Sequence, residues 1–251
     1  MLDILLGLTL AGSSSAGTAL DIHSFQVVKQ SSGPVDYYTV ETGPDGTYLA
    51  ARYRPPLDTV VRGIEIPEGL RRTVSGIQWR WRVHAFPKGA DDCNPKVGDA
   101  AGGVHVTFKA GQKVMIIKYV WNSTGPADRS CELVDTLFFA KRDVVLRAGG
   151  STGTWQTETV DPRADFVRLF GGKLESVPDF VGLGVLTDGD ATHSVSEADY
   201  ADFVLLETRR GNDAGRFWPG RRRARDAPMR PGPRGATPGT DPGHCSPDTG
   251  S

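Results

Sequence analysis

Residues 77–84 read Ile-Gln-Trp-Arg-Trp-Arg-Val-His, an uninterrupted alternation of apolar and polar side chains. In an extended chain, Trp79 and Trp81 fall on one face, whereas Arg80 and Arg82 fall on the other. A period of two is typical of a β-strand with one buried face and does not fit a helix. The stretch therefore predicts a strand whose tryptophans lie in the core.

Similar runs recur along the chain, separated by turn residues. The segment Gly43-Pro44-Asp45-Gly46 is a strong hairpin signal, because proline and glycine supply the dihedral angles of tight turns. The predicted strands are residues 22–29, 37–42, 47–54, 60–66, 77–84, 103–109, 114–121, 133–146, 155–160, 180–186 and 200–207.

One segment, residues 162–170, has a helical pattern. Asp161 precedes it as an N-cap, Pro162 suits the first turn, and Gly171 follows the last residue. Many strands, one short helix and no strand–helix–strand alternation predict an all-β fold. We expect a two-sheet antiparallel sandwich of jelly-roll-like form.

Both ends of the chain differ from this pattern. Residues 4–11 are apolar but too few to span a bilayer, and small residues follow, so that cleavage after Ala16 or Ala19 would suit a signal peptidase. Residues 1–19 are thus predicted to be a signal peptide, and a buried first strand is the alternative. We expect a sandwich domain over residues 20–208 and a periplasmic or secreted protein without a transmembrane segment.

The last part, residues 209–251, is rich in arginine, proline and glycine and contains few large apolar residues. Such a composition predicts a disordered tail. Its arginine run at 221–225 either is solvated or attaches to nucleic acid or acidic lipid. An exported protein would rarely meet nucleic acid, and the net charge of -1 gives no general attraction to it.

Two of the three cysteines, Cys93 and Cys131, each fall in a polar loop, and the two loops are predicted to emerge at the same end of the sheet if the strands alternate up and down. An oxidising compartment would favour a disulfide between them. Two unrelated free thiols are the alternative.

A candidate ligand face follows from the same alternation. Arg80 and Arg82 project from the polar side of their strand, His105 from the next strand, and Lys118 joins them if the hairpin register allows. Guanidinium groups bind carboxylates in bidentate fashion, so this face would suit an anionic sugar. The alternative is a solvated outer face, or arginines that cover a second layer with their aliphatic stems.

A candidate metal site combines Asp188 and Asp190 of the Thr187–Thr192 segment with Asp202. Calcium binds several oxygen atoms on flexible loops, so these carboxylates could hold a structural calcium ion. The alternative is that the aspartates bond the backbone of their own turn.

Five motifs occur in an order that resembles the uncharacterised bacterial family known as domain of unknown function 3047. The resemblance extends from about residue 25 to residue 207 and implies a secreted or periplasmic β-sandwich of carbohydrate-binding-module type. The motifs are Trp79-Arg80-Trp81, Lys118-Tyr119-Val120-Trp121, Trp155-Gln156-Thr157-Glu158, Asp165-Phe166 with Phe170-Gly171, and Thr187-Asp188-Gly189-Asp190-Ala191-Thr192.

No signature of a known enzyme class is present in the sequence: it lacks GxSxG, HExxH, a phosphate-binding loop and a dinucleotide-binding glycine pattern. Glu158 fits an exposed strand position and Asp161 a helix cap, so neither is assigned a catalytic role. The sequence predicts a non-catalytic binding module whose partner is a glycan or an envelope component. The alternatives are a glycan-acting hydrolase or lyase and a purely structural envelope protein.

Overall fold

The computed structural model describes residues 17–30 and 36–207, without the side chains of residues 29 and 30. Within these residues, thirteen strands form two sheets, and one α-helix, α1 (Pro162–Phe170), connects them. Most of the predicted signal peptide and the predicted tail at 209–251 lie outside the described residues.

The first sheet has six strands, five of which form a continuous order. That order is β11 (Gln156–Val160), β6 (Val74–Ala85), β13 (Ser196–Glu207), β4 (Gly46–Tyr53) and β3 (Tyr38–Gly43), and the sixth strand, β1 (Gly17–Ala19), also pairs with β13.

The second sheet has seven strands. Their order is β2 (Gln26–Gln30), β5 (Val60–Glu65), β12 (Asp179–Leu186), β7 (Gly102–Ala110), β8 (Lys113–Asn122), β10 (Phe139–Ala148) and β9 (Arg129–Asp135).

The two-sheet sandwich confirms the predicted fold class, with one difference in strand direction. The predicted strand 133–146 is two strands, β9 and β10, joined by a turn at residues 136–138. Because β9 takes the sheet edge and β10 returns between β9 and β8, β8 and β10 run parallel. The other pairings among the described strands are antiparallel.

The core lies between the two sheets and is built around the predicted tryptophans. Trp79 is 0% exposed, and its ring centroid lies 5.9 Å from that of Tyr119 in the opposite sheet. Trp81 packs in the same way on Trp121, at 5.6 Å. These contacts confirm that the apolar face of residues 77–84 is the buried one.

The predicted helix is also confirmed, together with its ends. The side chain of Asp161 accepts hydrogen bonds from the backbone amides of Arg163 and Ala164, at 3.0 and 2.9 Å. Gly171 follows the helix with a φ of 82°, a conformation that favours glycine. Phe166 of the helix packs against Phe108, which places α1 over one end of the core.

Strand β1 is not among the strands predicted from the sequence. Its three residues pair with Leu206, Leu205 and Val204 of β13, beyond an irregularity between Ala201 and Val204. β4 pairs with the first part of β13 and β1 with the last part. The folded domain therefore includes Gly17–Ala19, which lie before the predicted boundary at residue 20.

We expect Trp79→Ala to lower the free energy of unfolding by about 3–5 kcal/mol, because it empties a fully buried aromatic site. The matched control is Trp155→Ala, which removes a half-buried tryptophan from the outer face of the first sheet and should cost about 1 kcal/mol. Urea unfolding monitored by circular dichroism measures both. Equal losses in the two variants would contradict the assignment of Trp79 to the core.

Candidate functional site

The outer face of the second sheet carries a groove of about 860 Å³. Strand register aligns five residues across the outer face of this sheet, and three of them, Gly184, His105 and Lys118, line the groove. The aligned residues are Gly63, Gly184, His105, Lys118 and Asp143, from β5, β12, β7, β8 and β10. This row brings together two residues predicted from the sequence, His105 and Lys118, and one that was not, Asp143.

Glycine keeps the floor of the groove low along β12. Gly182 and Gly184 both line the groove, beside Thr107 and His105 of the neighbouring strand. A Cβ atom built on Gly182 would have its nearest contact at 3.7 Å, so this position has room for a side chain. The absence of one leaves space for a ligand.

A loop between β6 and β7 covers one side of the groove. Ala100 in this loop packs on Val120 and Val145 of the sheet, and all three are fully buried. A disulfide joins Cys93 of the loop to Cys131 of β9, which settles the alternative that the sequence left open. Cys131 itself lies in an edge strand, opposite Asp143, and not in a loop as predicted.

Beneath this loop lies a cluster of buried charges. The Lys118 ammonium is 2.7 Å from a carboxylate oxygen of Asp92, and these side chains are 1% and 3% exposed. Lys141 lies 3.3 Å from the fully buried Asp143. Asp188 lines the same space and accepts a hydrogen bond from the amide of Ala100, at 2.8 Å.

The environment of the cluster separates the pKa values of its carboxyl groups. Burial raises the pKa of Asp143 to about 8, and the charge of Asp92 acts in the same direction. Burial likewise raises the pKa of Asp188 to about 7, against the opposing effect of Lys118. For Asp92, burial is outweighed by Lys118 and Lys141, which hold its pKa below the ordinary value.

Lys118 stays protonated in this site. Burial by itself would lower its pKa, but the carboxylates of Asp92, Asp188 and Asp143 hold the pKa above the ordinary value. Lys118 is therefore a fixed positive charge, and Asp143 is its protonated neighbour at neutral pH.

The predicted ligand face does not form as one surface. Arg80 and Arg82 lie in β6 of the first sheet, whereas His105 and Lys118 lie in the second, because the chain crosses between the sheets after β6. Arg80 is paired with Asp202, and Arg82 is 2.7 Å from Asp199. Face alternation directs these arginines away from the core, so the whole sandwich separates them from the groove.

The two arginines also stack beneath an aromatic ring. Their guanidinium carbons lie 4.9 and 4.5 Å from the ring centroid of Trp155. Trp155 in turn donates a hydrogen bond to Asp45, at 3.2 Å. These contacts agree with the alternative of arginines that cover another layer of the structure.

The predicted metal ligands are also divided. Asp188 and Asp190 lie with Asp99, with one carboxylate oxygen from each within 4.8 Å of the others. Asp202 is paired with Arg80 on the first sheet, so the predicted set of three is not assembled. Asp99 accepts hydrogen bonds from the backbone amides of Ala191 and Thr192, and Asp188 accepts one from Ala100, so both carboxylates bond to a neighbouring segment and not to their own turn.

Glu158 is buried, whereas its position in the sequence had suggested an exposed side chain. It is 1% exposed, pairs with Arg147, and accepts a hydrogen bond from the indole of Trp81, at 3.4 Å. The prediction failed because β11 pairs with β6 in a register that places Glu158 opposite Trp79.

The raised pKa of Asp143 predicts that the protein is less stable at higher pH. Its pKa is about 8 in the folded state and 3.8 ordinarily, so between these values the folded state binds a proton that the unfolded state lacks. The free energy of unfolding therefore falls as pH rises through this range. We expect a lower melting temperature at about pH 8.5 than at about pH 5.5.

Asp143→Asn should weaken this dependence, because the amide resembles the protonated carboxyl, and should raise the melting temperature at the higher pH. Asp58→Asn, outside the cluster, is the matched control and should retain the slope. Differential scanning calorimetry at both pH values measures the effect. A wild-type slope in Asp143→Asn would contradict the assignment.

Fold and site together define a two-sheet β-sandwich with a groove on one sheet. Residues 36–204 match the family model described as "Protein of unknown function (DUF3047)", which covers more than half of the chain. The chain belongs to this family, as the motif order in the sequence predicted. A comparison with curated proteins gave no match.

Solved structures with a similar layout have low identity to this chain. The family 11 carbohydrate-binding module of the cellulase Lic26A-Cel5E from Clostridium thermocellum has 8% identity and a TM-score of 0.40, covering 78% of this chain and 97% of the module. The xyloglucanase domain of NopAA from Sinorhizobium fredii, in complex with cellobiose, has 10% identity and a TM-score of 0.39, covering 78% and 100%.

The family GH12 endoglucanase 3 of Trichoderma harzianum has 8% identity and a TM-score of 0.33, covering 79% of this chain and 99% of the enzyme. At these values the likenesses carry no information about the function of this chain. Among the described residues, no helix has the length and apolarity needed to span a membrane.

Proposed function

We propose that this protein binds a glycan, or a glycan-containing component of the cell envelope, in the groove of the second sheet without cleaving it. The groove itself is the observation that supports this proposal. Its volume of about 860 Å³ lies within the range of ligand pockets in proteins. The outer face of the first sheet offers no comparable space at Arg80 and Arg82, which are occupied by Asp202, Asp199 and Trp155.

The lining of the groove suits a ligand with both apolar and hydroxyl-bearing surfaces. Ile116 and Leu186 supply apolar contact, whereas Thr107, His105 and Asp188 supply polar groups. A few polar groups among apolar ones are the usual way in which a pocket orients a small ligand. A sugar ring presents both kinds of surface.

The charges of the groove favour a neutral glycan over the anionic one expected from the sequence. Two lysines line it, Lys118 and Lys141, and Lys118 is already paired with Asp92. The carboxylates of Glu65, Glu132 and Asp190 also line the groove, so a carboxylate of the ligand would meet more negative than positive charge. The polar end of the groove therefore acts through hydrogen bonds.

Filling the groove should weaken binding without harming the fold. We expect Gly182→Leu to weaken binding by about tenfold or more and Gly182→Ala to weaken it less. A Cβ atom fits at this position, and because Gly182 lines the groove, the longer Leu side chain is expected to extend into it. Affinity electrophoresis against soluble glucan, xylan, mannan and chitosan, and pull-down with cellulose, chitin and peptidoglycan, provide the measurement.

Gly69→Leu is the matched control, because a Cβ atom at this position meets nothing within 4 Å and Gly69 does not line the groove. It should bind as the wild type does, as should Arg80→Ala with Arg82→Ala. Undiminished binding in Gly182→Leu would place the ligand elsewhere. No retention of the wild type by any of these polysaccharides would refute glycan binding.

The second candidate is a glycan-acting hydrolase, and one specific observation favours it. Asp188 and Asp92 both line the groove, and their environments shift the two pKa values in opposite directions. Such a pair can divide the roles of general acid and base. Release of reducing ends from a bound polysaccharide, lost in Asp188→Asn, would establish hydrolysis in place of simple binding.

We also propose that the protein is exported to the periplasm or beyond. The disulfide between Cys93 and Cys131 supports this, because disulfides persist in oxidising compartments. Strand β1 bears on the cleavage site, since removal of residues up to Ala19 would delete a strand that pairs with β13. Cleavage after Ala16 leaves that strand intact.

We therefore expect the periplasmic product from a bacterial host to begin at Gly17. N-terminal sequencing of the purified protein distinguishes this start from Leu20. A product that begins at Leu20 would show that β1 is dispensable for export and folding. An intact Met1 on a cytoplasmic product would refute the proposed localisation.

A further inference from the structure

The groove of the second sheet runs across the strands and not along one of them. All seven strands of the sheet contribute residues to its lining. At one edge of the sheet this lining includes Val28 of β2, which is 62% exposed, and at the other edge Val134 of β9, which is 37% exposed. The groove is therefore open at both edges.

Strand register aligns a second row of residues across the sheet, two positions along the strands from the row that contains Lys118. Its members come from six strands, and all of them line the groove. They are Glu65 of β5, Gly182 of β12, Thr107 of β7, Ile116 of β8, Lys141 of β10 and Val134 of β9.

The two rows differ in exposure. In the row that contains Lys118, four of the five residues are buried: Gly63, Gly184, Lys118 and Asp143. In the second row no residue is buried, because its end residues are exposed and the four between them are half-buried. This second row, from Glu65 to Val134, is an open row along which an extended ligand can lie.

We propose that the groove binds a linear, neutral polysaccharide in the interior of its chain, with the chain lying along the open row and continuing past both edges of the sheet. This inference rests on the proposed glycan-binding function. Neighbouring strands lie about 4.8 Å apart, so the five spacings from Glu65 to Val134 give a path of about 24 Å. A pyranose residue is about as long as one strand spacing, and the open row can therefore contact about five consecutive sugars.

The chemistry of the open row suits such a chain. Ile116 supplies apolar contact near the middle, and Gly182 leaves room for a sugar ring. The hydroxyl of Thr107 lies between these two positions, whereas the carboxylate of Glu65 and the ammonium of Lys141 lie outside them. These polar groups can accept hydrogen bonds from sugar hydroxyls or donate to them.

Isothermal titration calorimetry with disaccharides, tetrasaccharides and hexasaccharides of glucan, xylan, mannan and chitin tests the length of the site. We expect the affinity to increase by about tenfold or more from disaccharide to hexasaccharide, because each added sugar contacts further residues of the open row. With the soluble parent polymers, the number of protein molecules bound per chain should increase with chain length. Equal affinity for disaccharide and hexasaccharide, or one protein per chain end at every length, would overturn the proposal and leave glycan binding intact.

Variants at the two ends of the open row test the path of the chain. Glu65→Ala and Val134→Ala should each weaken hexasaccharide binding by about two- to fivefold, the effect of losing one partly buried contact, and leave disaccharide binding unchanged. The matched controls are Glu68→Ala and Val40→Ala, which alter exposed residues outside the groove and should bind as the wild type does. Val40 is 38% exposed and lies in the edge strand β3 of the other sheet.

The outcomes separate this inference from the function on which it rests. Weaker hexasaccharide binding in one end variant alone, or in neither, would show that the chain does not cross the whole row, and the proposal would be wrong. If the wild type binds none of these saccharides or polymers, the proposed function fails and interior binding fails with it.

Discussion

The packing of Trp79 and Trp81 against Tyr119 and Trp121 decides which surfaces of this protein are available for function. These rings join the two sheets across the core, and strand alternation then directs every second side chain outward. Lys118, which lies beside Tyr119 in the chain, must therefore face the outer side of the second sheet. The same alternation of side chains along the strands therefore places aromatic rings in the core and Lys118 in the groove.

The charged cluster shows how the second sheet tolerates polar groups at a buried position. Lys118 and Asp92 lose almost all contact with solvent, and the ion pair offsets part of the cost of their desolvation. Asp143 avoids the same cost by keeping its proton, which is why its pKa is raised. Both the Lys118–Asp92 ion pair and the raised pKa of Asp143 depend on the loop that covers them. If water reached the cluster, these groups would no longer be desolvated.

The outer faces of the two sheets have different chemistry although both carry basic residues. On the first sheet, Arg80 and Arg82 are held by Asp202 and Asp199 and are stacked on Trp155, so their charges and planar surfaces are already used. On the second sheet, the glycines of β12 and the covering loop create a recess. The presence of cationic residues on a strand is therefore a weaker guide to a binding site than the space around them.

Local pattern was sufficient to determine the strand character of residues 77–84, the burial of their tryptophans, the capped helix at Pro162–Phe170 and the family. Each of these depends on near neighbours in the chain or on the order of motifs. The sequence could not show that β6 and β7 belong to different sheets, and so it placed Arg80, Arg82, His105 and Lys118 on one surface. It also could not reveal Asp92 and Asp143, whose importance comes from their approach to Lys118. That approach follows from the parallel pairing of β10 with β8 and from a loop held by a disulfide, and both are contacts between residues distant in sequence that only the tertiary structure brings together.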